Sequence, residues 1–180
     1  MNNTIPSCVL LFIAITAAVQ TSRQIKQRNG AQPCVFDYER GEVPDCVYTA
    51  RDGSRSIARH YLKDLTYQSN GLATVRGANG WMYVNRRGKV IIDGVPIFDN
   101  GPDQFHNGLV RFVEEHKYGF ADQRGNVVIP ARYNGALPFD KGRAKVCLGC
   151  VQKCADDACE HHIVSDGEWL FINTHGVALK

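Results

Sequence analysis

The sequence predicts an all-β protein built as an array of short antiparallel units, about three and a half in number. A frame of glycine and aromatic residues recurs along the chain at fixed spacing, as in repeat proteins. Outside the ambiguous stretch 56–65, where we expect strand or irregular structure, no long segment has helical periodicity. The 180 residues are 44% hydrophobic and 22% charged, which is the composition of one folded domain and not of a disordered chain.

The repeat frame is defined by glycines. The first two copies, Gly71–Gly88 and Gly108–Gly125, each span 17 residues. The third copy, Gly142–Gly176, spans 34 and therefore carries 17 extra residues, a Cys-rich insertion at about 147–166. A partial unit begins before Gly53, which leads to two tyrosines and then to the first full copy.

Each copy contains the elements of a short antiparallel sheet. Alternating apolar residues indicate a half-buried strand, and a turn and an aromatic strand follow. The aromatic strand ends in an Asx side chain three residues before glycine, a pair that starts and closes a hairpin turn. These positions are Trp81, Tyr83 and Asn85; Tyr118, Phe120 and Asp122; and Trp169, Phe171 and Asn173. We predict strands at 71–76, 81–85, 90–92, 109–113, 118–121, 127–129, 143–147 and 169–172.

This frame resembles the bacterial WG repeat. The best copy is Gly108–Phe139, which has Tyr118-Gly119 at the signature Trp-Gly pair, whereas Trp81-Met82 and Trp169-Leu170 keep only the tryptophan. The resemblance covers most of the chain. It implies interaction or structural units, and it brings no catalytic residues.

The recurring aromatic residues have two interpretations. Repeat units bury one face against the next unit, so we expect Trp81, Tyr118 and Trp169 to be buried at equivalent places. Rings exposed on one face would instead form a ligand-binding platform.

The N-terminal segment predicts export. The first twenty residues contain no Asp, Glu, Lys or Arg, and the apolar run Cys8–Val19 is shorter than the roughly 20 residues that span a bilayer. We predict a signal peptide at 1–20, cleaved near Ala18 or Gln20, although its first residues lack a basic side chain. A flexible mature N-terminus at 21–33 and the WG-like repeat domain at 34–180 follow. The mature protein is expected to be periplasmic or secreted, without a stable transmembrane span. A buried strand or a retained N-terminal anchor is the alternative.

Six cysteines remain after cleavage, an even number that fits disulfides in an exported chain. They are Cys34, Cys46, Cys147, Cys150, Cys154 and Cys159. Pairing within each cluster is the simplest scheme and joins Cys34 to Cys46. In the second cluster we favour Cys147 with Cys159 and Cys150 with Cys154, or the crossed alternative, and disfavour the tightly spaced pair Cys147–Cys150.

The second cluster also permits a metal site. Thiolate and imidazole groups are the usual ligands of tetrahedral zinc. The candidates are Cys147, Cys150, Cys154, Cys159, His161 and His162. Their spacing differs from that of familiar zinc fingers, and export favours disulfides.

The sequence gives no support for an enzyme or a cofactor. It contains no nucleotide-binding glycine motif, serine elbow or HExxH, and its aspartates mostly lie in turns. The net charge of +3 is small and scattered, so it does not indicate a nucleic-acid partner, and we predict none. We therefore predict a binding or structural module whose partner is a protein or another cell-envelope component. The alternatives are a zinc-binding protein and a periplasmic inhibitor or immunity-type protein.

Overall fold

A computed structural model of the protein describes residues 30–154 and 162–180. It is mostly β-strand (55%), with about 4% helix, in antiparallel sheets. The predicted all-β class is confirmed. The expected signal peptide at 1–20 lies outside the described residues.

The first sheet has six strands in the order β3-β2-β1-β4-β5-β6, and all neighbours are antiparallel. The strands are β1 (Gln32–Val35), β2 (Val43–Thr49), β3 (Arg55–Ile57), β4 (Leu72–Gly77), β5 (Gly80–Asn85) and β6 (Val90–Val95). The first full unit is β4-β5-β6, and the partial unit predicted before Gly53 supplies β2 and β3.

Two further units follow along the chain. The second is the sheet β11-β10-β9, and the third is the sheet β12-β13-β16. Two small hairpins, β7-β8 and β14-β15, lie between these strands in sequence. The bounds are β7 (Ile97–Phe98), β8 (Gly101–Pro102), β9 (Leu109–Glu114), β10 (Lys117–Asp122), β11 (Val127–Tyr133), β12 (Gly135–Ala136), β13 (Arg143–Leu148), β14 (Val151–Cys154), β15 (His162–Ser165) and β16 (Glu168–Asn173). Every strand predicted from the repeat frame is present.

One element differs from the prediction. A 3₁₀ helix occupies Arg59–Asp64, where we expected strand or irregular structure. Leu62 in this helix packs against the first core, and Leu65, directly after the helix, is buried in it. The sequence pattern of this stretch was ambiguous, and packing of these leucines against the core accounts for the conformation that it adopts.

The predicted hairpin turns share one geometry. In each of the three full units the Asx Oδ1 atom accepts hydrogen bonds from the backbone N–H groups two and four residues later, at 2.8–3.1 Å. Gly88, Gly125 and Gly176 close these turns with φ of 82°, 85° and 77°, a region that favours glycine. The hydrogen bond from the Asn126 side chain, together with those from the backbone, holds the pKa of Asp122 below its ordinary value.

The core consists of layers between successive units. Strand β5 is buried on both faces. Met82 and Val84 pack in the first layer with β1 and β2 residues, whereas Trp81 and Tyr83 pack in a second layer with Phe112 and its neighbours from the second unit. The third layer joins the second and third units. Each inner sheet is therefore enclosed on both sides.

A buried ion pair ties the units together. Asp103 and Arg111 are 1% and 4% exposed, and the guanidinium donates to both carboxylate oxygens at 2.9 and 3.0 Å. Arg111 also donates to the Ala136 carbonyl of the third unit at 2.6 Å, and the Tyr83 hydroxyl of the first unit donates to the Asp103 carbonyl at 2.7 Å. The guanidinium and the carboxylate both have hydrogen-bond partners, and these partners belong to three successive units. The pair therefore fixes how the three units pack together.

Candidate functional site

The recurring aromatic side chains differ in burial from one end of the array to the other. Trp81 is 6% exposed, and Tyr83 and Phe120 are fully buried. Their counterparts in β16, Trp169 and Phe171, are 36% and 43% exposed. The expectation that Trp169 is buried like Trp81 is wrong, and Tyr118, at the same position in the second unit, is only partly buried. Within the described residues, the apolar core layers lie only on the inner side of the third sheet, so nothing encloses these two rings.

Strand register shows which side chains accompany the two rings. Phe171 lies opposite Lys145, and Arg143 is two residues before Lys145 on the same face. The Leu137 N–H donates to the Lys145 carbonyl at 2.9 Å, which places Leu137 beside Lys145. The intervening residues of β13 and β16, among them Val146 and Ile172, point the other way into the core. We call the exposed set the outer face. It consists of Leu137, Arg143, Lys145, Trp169 and Phe171.

Cations lie over both rings of the outer face. The Arg143 guanidinium carbon is 5.2 Å from the centre of Phe171, and the Lys145 Nζ is 5.2 Å from the centre of Trp169. Such cation–π contacts hold long side chains in place over aromatic surfaces. The outer face is therefore an apolar surface covered by two positive charges.

The repeat alignment shows that this chemistry is specific to the third unit. Arg143 occupies the position of Leu72 and Leu109, both of which are buried. Lys145 occupies the position of Thr74 and of the buried Arg111. The third unit thus places solvated cations where the side chains of the inner units are buried or, in Thr74, half-buried.

The inserted hairpin β14-β15 borders the outer face. A Cβ atom on Gly135 would lie 3.3 Å from the Trp169 ring and 3.4 Å from Val164 of β15. Both side chains therefore approach the same glycine. Lys153 of β14 and Asp166 pair at 2.7 Å. The hairpin therefore lies near Trp169, at the edge of the outer face.

Two disulfide bonds form within residues 30–154 and 162–180. Cys34 is bonded to Cys46, the pairing favoured from the sequence, with a Cα–Cα distance of 5.6 Å. Cys147 is bonded to Cys150, with a Cα–Cα distance of 5.9 Å, so the preference for Cys147 with Cys159 and Cys150 with Cys154 is wrong. Gly149, with φ of 70°, folds the chain back directly after β13 and brings Cys150 beside Cys147.

The zinc set proposed from the sequence is not assembled. Sulfurs in a disulfide are not thiolates, and it is the thiolate that binds metal. Cys159 and His161 lie outside the described residues, and only the backbones of Cys154 and His162, paired across β14 and β15, are described. In residues 30–154 and 162–180, no three His, Cys, Asp or Glu side chains are grouped so as to hold a metal ion.

A groove lies between the first and second units. This groove of 420 Å³ is lined mainly by aliphatic residues and by Phe112, with Asp93 and Glu114 among its polar groups. Asp93 already pairs with Arg55. The groove follows the packing of two units and lacks the exposed rings of the outer face, so we place the candidate site on the outer face.

Sequence reasoning singled out two of the five outer-face residues, Trp169 and Phe171, and assigned them the wrong environment. It missed Leu137, Arg143 and Lys145. A signal for Arg143 was present, because the alignment places it where the other copies have leucine, whereas Lys145 aligns with Thr74 and Arg111 and gave no such signal.

Comparison with known protein families gives one match. The WG containing repeat matches residues 118–149, from the aromatic strand of the second unit to the end of β13. The resemblance found in the sequence is thereby confirmed for this stretch. Neither the curated proteins nor the solved structures give a match to the chain.

The match includes Tyr118-Gly119, and packing explains the glycine. A Cβ atom on Gly119 would lie 2.6 Å from the Phe112 ring and 2.7 Å from the Ile129 carbonyl oxygen, too close for any side chain.

Proposed function

We propose that this protein is an exported interaction module that binds another protein through its outer face. The observation that carries the proposal is the exposure of Trp169 and Phe171, at positions whose counterparts are buried (Trp81, Tyr83 and Phe120) or partly buried (Tyr118) in the inner units. Exposed aromatic side chains beside arginine are typical of the energetic centres of protein interfaces. The proposal assigns no catalytic role and no cofactor to the chain.

The inner units show how this face engages protein. Trp81 and Tyr83 are covered by apolar side chains of the second unit, including Val110 and Phe112. A binding partner that packs on Trp169 and Phe171 would repeat the same kind of contact between two chains. Apolar patches with a charged rim mark such surfaces on soluble proteins.

The disulfide bonds support export. Disulfide bonds persist in oxidising compartments, and two of them form within the described residues. Among the described residues, no helix is long and apolar enough to cross a bilayer. The apolar segment at 1–20 supplies the export signal in this proposal, and the mature protein is periplasmic or secreted.

Site-specific photo-cross-linking tests the docking face. A benzophenone amino acid at position 171 or 137 should give one adduct of defined mass in the native host, and Trp169→Ala should abolish it. The same probe at Arg87, in the exposed turn of the first unit, is the matched control. Equal labelling from positions 87 and 171, or adducts unaffected by Trp169→Ala, would contradict the proposal.

Intact mass tests export. The purified protein should have lost the segment ending near Ala18 or Gln20, and reduction should add the mass of two hydrogens for each disulfide. A full-length chain whose cysteines all react with a thiol reagent before reduction would contradict export.

A further inference from the structure

We infer that the partner bound by the outer face presents an acidic polypeptide segment, in which carboxylates accompany apolar side chains. This inference rests on the proposed function and specifies the chemistry of its partner. It follows from the two cations that any partner on this face has to cover.

Arg143 and Lys145 have no carboxylate partner among the residues that the structure describes. The ion pairs found there are Arg40–Asp64, Arg55–Asp93, Arg111–Asp103 and Lys153–Asp166. The two outer-face cations contact aromatic rings instead. Covering a cation removes it from water, which is strongly unfavourable unless the covering surface supplies a negative charge.

The molecule contains its own example of this requirement. Arg111 occupies the position in the second unit that Lys145 occupies in the third, and there the next unit covers it. In that covered environment Asp103 pairs with the guanidinium through both carboxylate oxygens. Whatever covers Lys145 has to supply the carboxylate that Asp103 supplies to Arg111.

The composition of the face favours a polypeptide over an acidic polysaccharide. None of its five side chains carries a hydrogen-bond acceptor that a sugar hydroxyl needs. Asn173, which lies opposite Arg143, uses its Oδ1 atom in the hairpin turn. Leu137 and the rings instead match apolar side chains of a peptide.

Fluorescence anisotropy with defined peptides tests the inference. Two fluorescein-labelled peptides of equal length are used, in which Leu and Phe alternate with Glu in one and with Lys in the other. The acidic peptide should bind about tenfold more tightly than the basic one, as expected for two charge pairs at an interface rim. The difference should shrink as salt is raised.

Charge reversal provides the decisive comparison. Arg143→Glu with Lys145→Glu should reverse the preference, whereas Arg87→Glu with Lys89→Glu, an equal charge change in the exposed turn of the first unit, should leave it unchanged. Arg143→Gln with Lys145→Gln should abolish the preference. This neutral variant replaces the charge-reversed variant if circular dichroism shows that the latter folds poorly.

The outcomes separate the two proposals. Equal binding of both peptides that is lost in the Trp169→Ala, Phe171→Ala variant would overturn the acidic partner and leave the docking face intact. Peptide binding that survives this aromatic variant would overturn both. Tighter binding of oligogalacturonate than of the acidic peptide would overturn the polypeptide partner in favour of an acidic polysaccharide.

Discussion

The two ends of the repeat array carry similar additions and use them differently. At the N-terminal end, β1, β2, β3 and the 3₁₀ helix pack over the first unit, and Val47 and Met82 meet there in a closed core. At the C-terminal end, the β14-β15 hairpin borders the third unit and leaves Phe171 exposed. A disulfide fixes each addition. The comparison shows that one repeat geometry yields a sealed cap or an open docking face, depending on what packs against it.

The largest expected contrast in stability is between variants of Trp81 in the first unit and of Trp169 in the third unit. Trp81→Ala should lower the free energy of unfolding by about 3–5 kcal/mol, because it empties a packed core layer. Trp169→Ala should cost only about 1 kcal/mol, since the ring is partly solvated already. Urea denaturation measures both. Phe120→Ala and Phe171→Ala form a second matched pair, and equal losses within either pair would break the comparison.

A second contrast concerns the equivalent positions 111 and 145. Arg111→Met should destabilise the protein by about 3–5 kcal/mol, because it leaves Asp103 buried without its partner. Lys145→Met should change stability by about 0.5 kcal/mol or less. Asp103→Asn combined with Arg111→Met should recover part of the loss in the same denaturation experiment. A Lys145→Met variant as unstable as Arg111→Met would show that the outer face is structural.

The two disulfides should differ by a smaller amount. Replacing Cys34 and Cys46 with serine should cost about 3 kcal/mol, and replacing Cys147 and Cys150 about 2 kcal/mol, because the second bond closes a much shorter loop. Thermal melts of the two double variants measure this order. The second variant should also weaken cross-linking from position 171, as it frees the hairpin beside Trp169. Unchanged cross-linking would show that binding at the outer face does not depend on the position of the hairpin.

The smallest effect concerns pH in the buried layer between the first and second units. Burial raises the pKa of Tyr83 to about 12. An unfolded tyrosine ionises near pH 10, so stability from the neutral buried hydroxyl is complete below pH 10 and is lost as pH rises toward about 12. Tyr83→Phe should cost about 1 kcal/mol at pH 8, through the lost hydrogen bond to the Asp103 carbonyl. This cost should narrow between pH 10 and 12 in parallel denaturation curves. A constant cost would show that Tyr83 ionises equally in both states.

Sequence reasoning predicted the strands and turns well, since both depend on short-range spacing. The Asx side chain and the glycine three residues later specify each hairpin turn within a few bonds, and Asp122 with Gly125 is one example. The pairing inside the second cysteine cluster was not predictable in this way. It depended on the left-handed conformation of Gly149, which the spacing of cysteines does not reveal.

Whether an aromatic side chain is buried or exposed likewise cannot be predicted from the local sequence pattern. Trp81 and Trp169 have the same position in the repeat. In each unit the tryptophan shares a face of its strand with the aromatic residue two positions later. Alternation along a strand shows which residues share a face, and it does not show whether another layer covers that face. Strand β5 is covered on both faces, so alternation there carried no information about burial.

The sequence by itself determined the repeat frame, the all-β class and the hairpin turns, because glycine, Asx and β-branched residues act on the backbone within a few positions. Only the tertiary structure decided which faces were enclosed, which cysteines met and which cations were paired. These properties depend on contacts between residues far apart in the chain. The outer face exists because the core layers stop at the inner side of the third sheet, where Arg143 and Lys145 replace side chains that are buried or half-buried in the inner units.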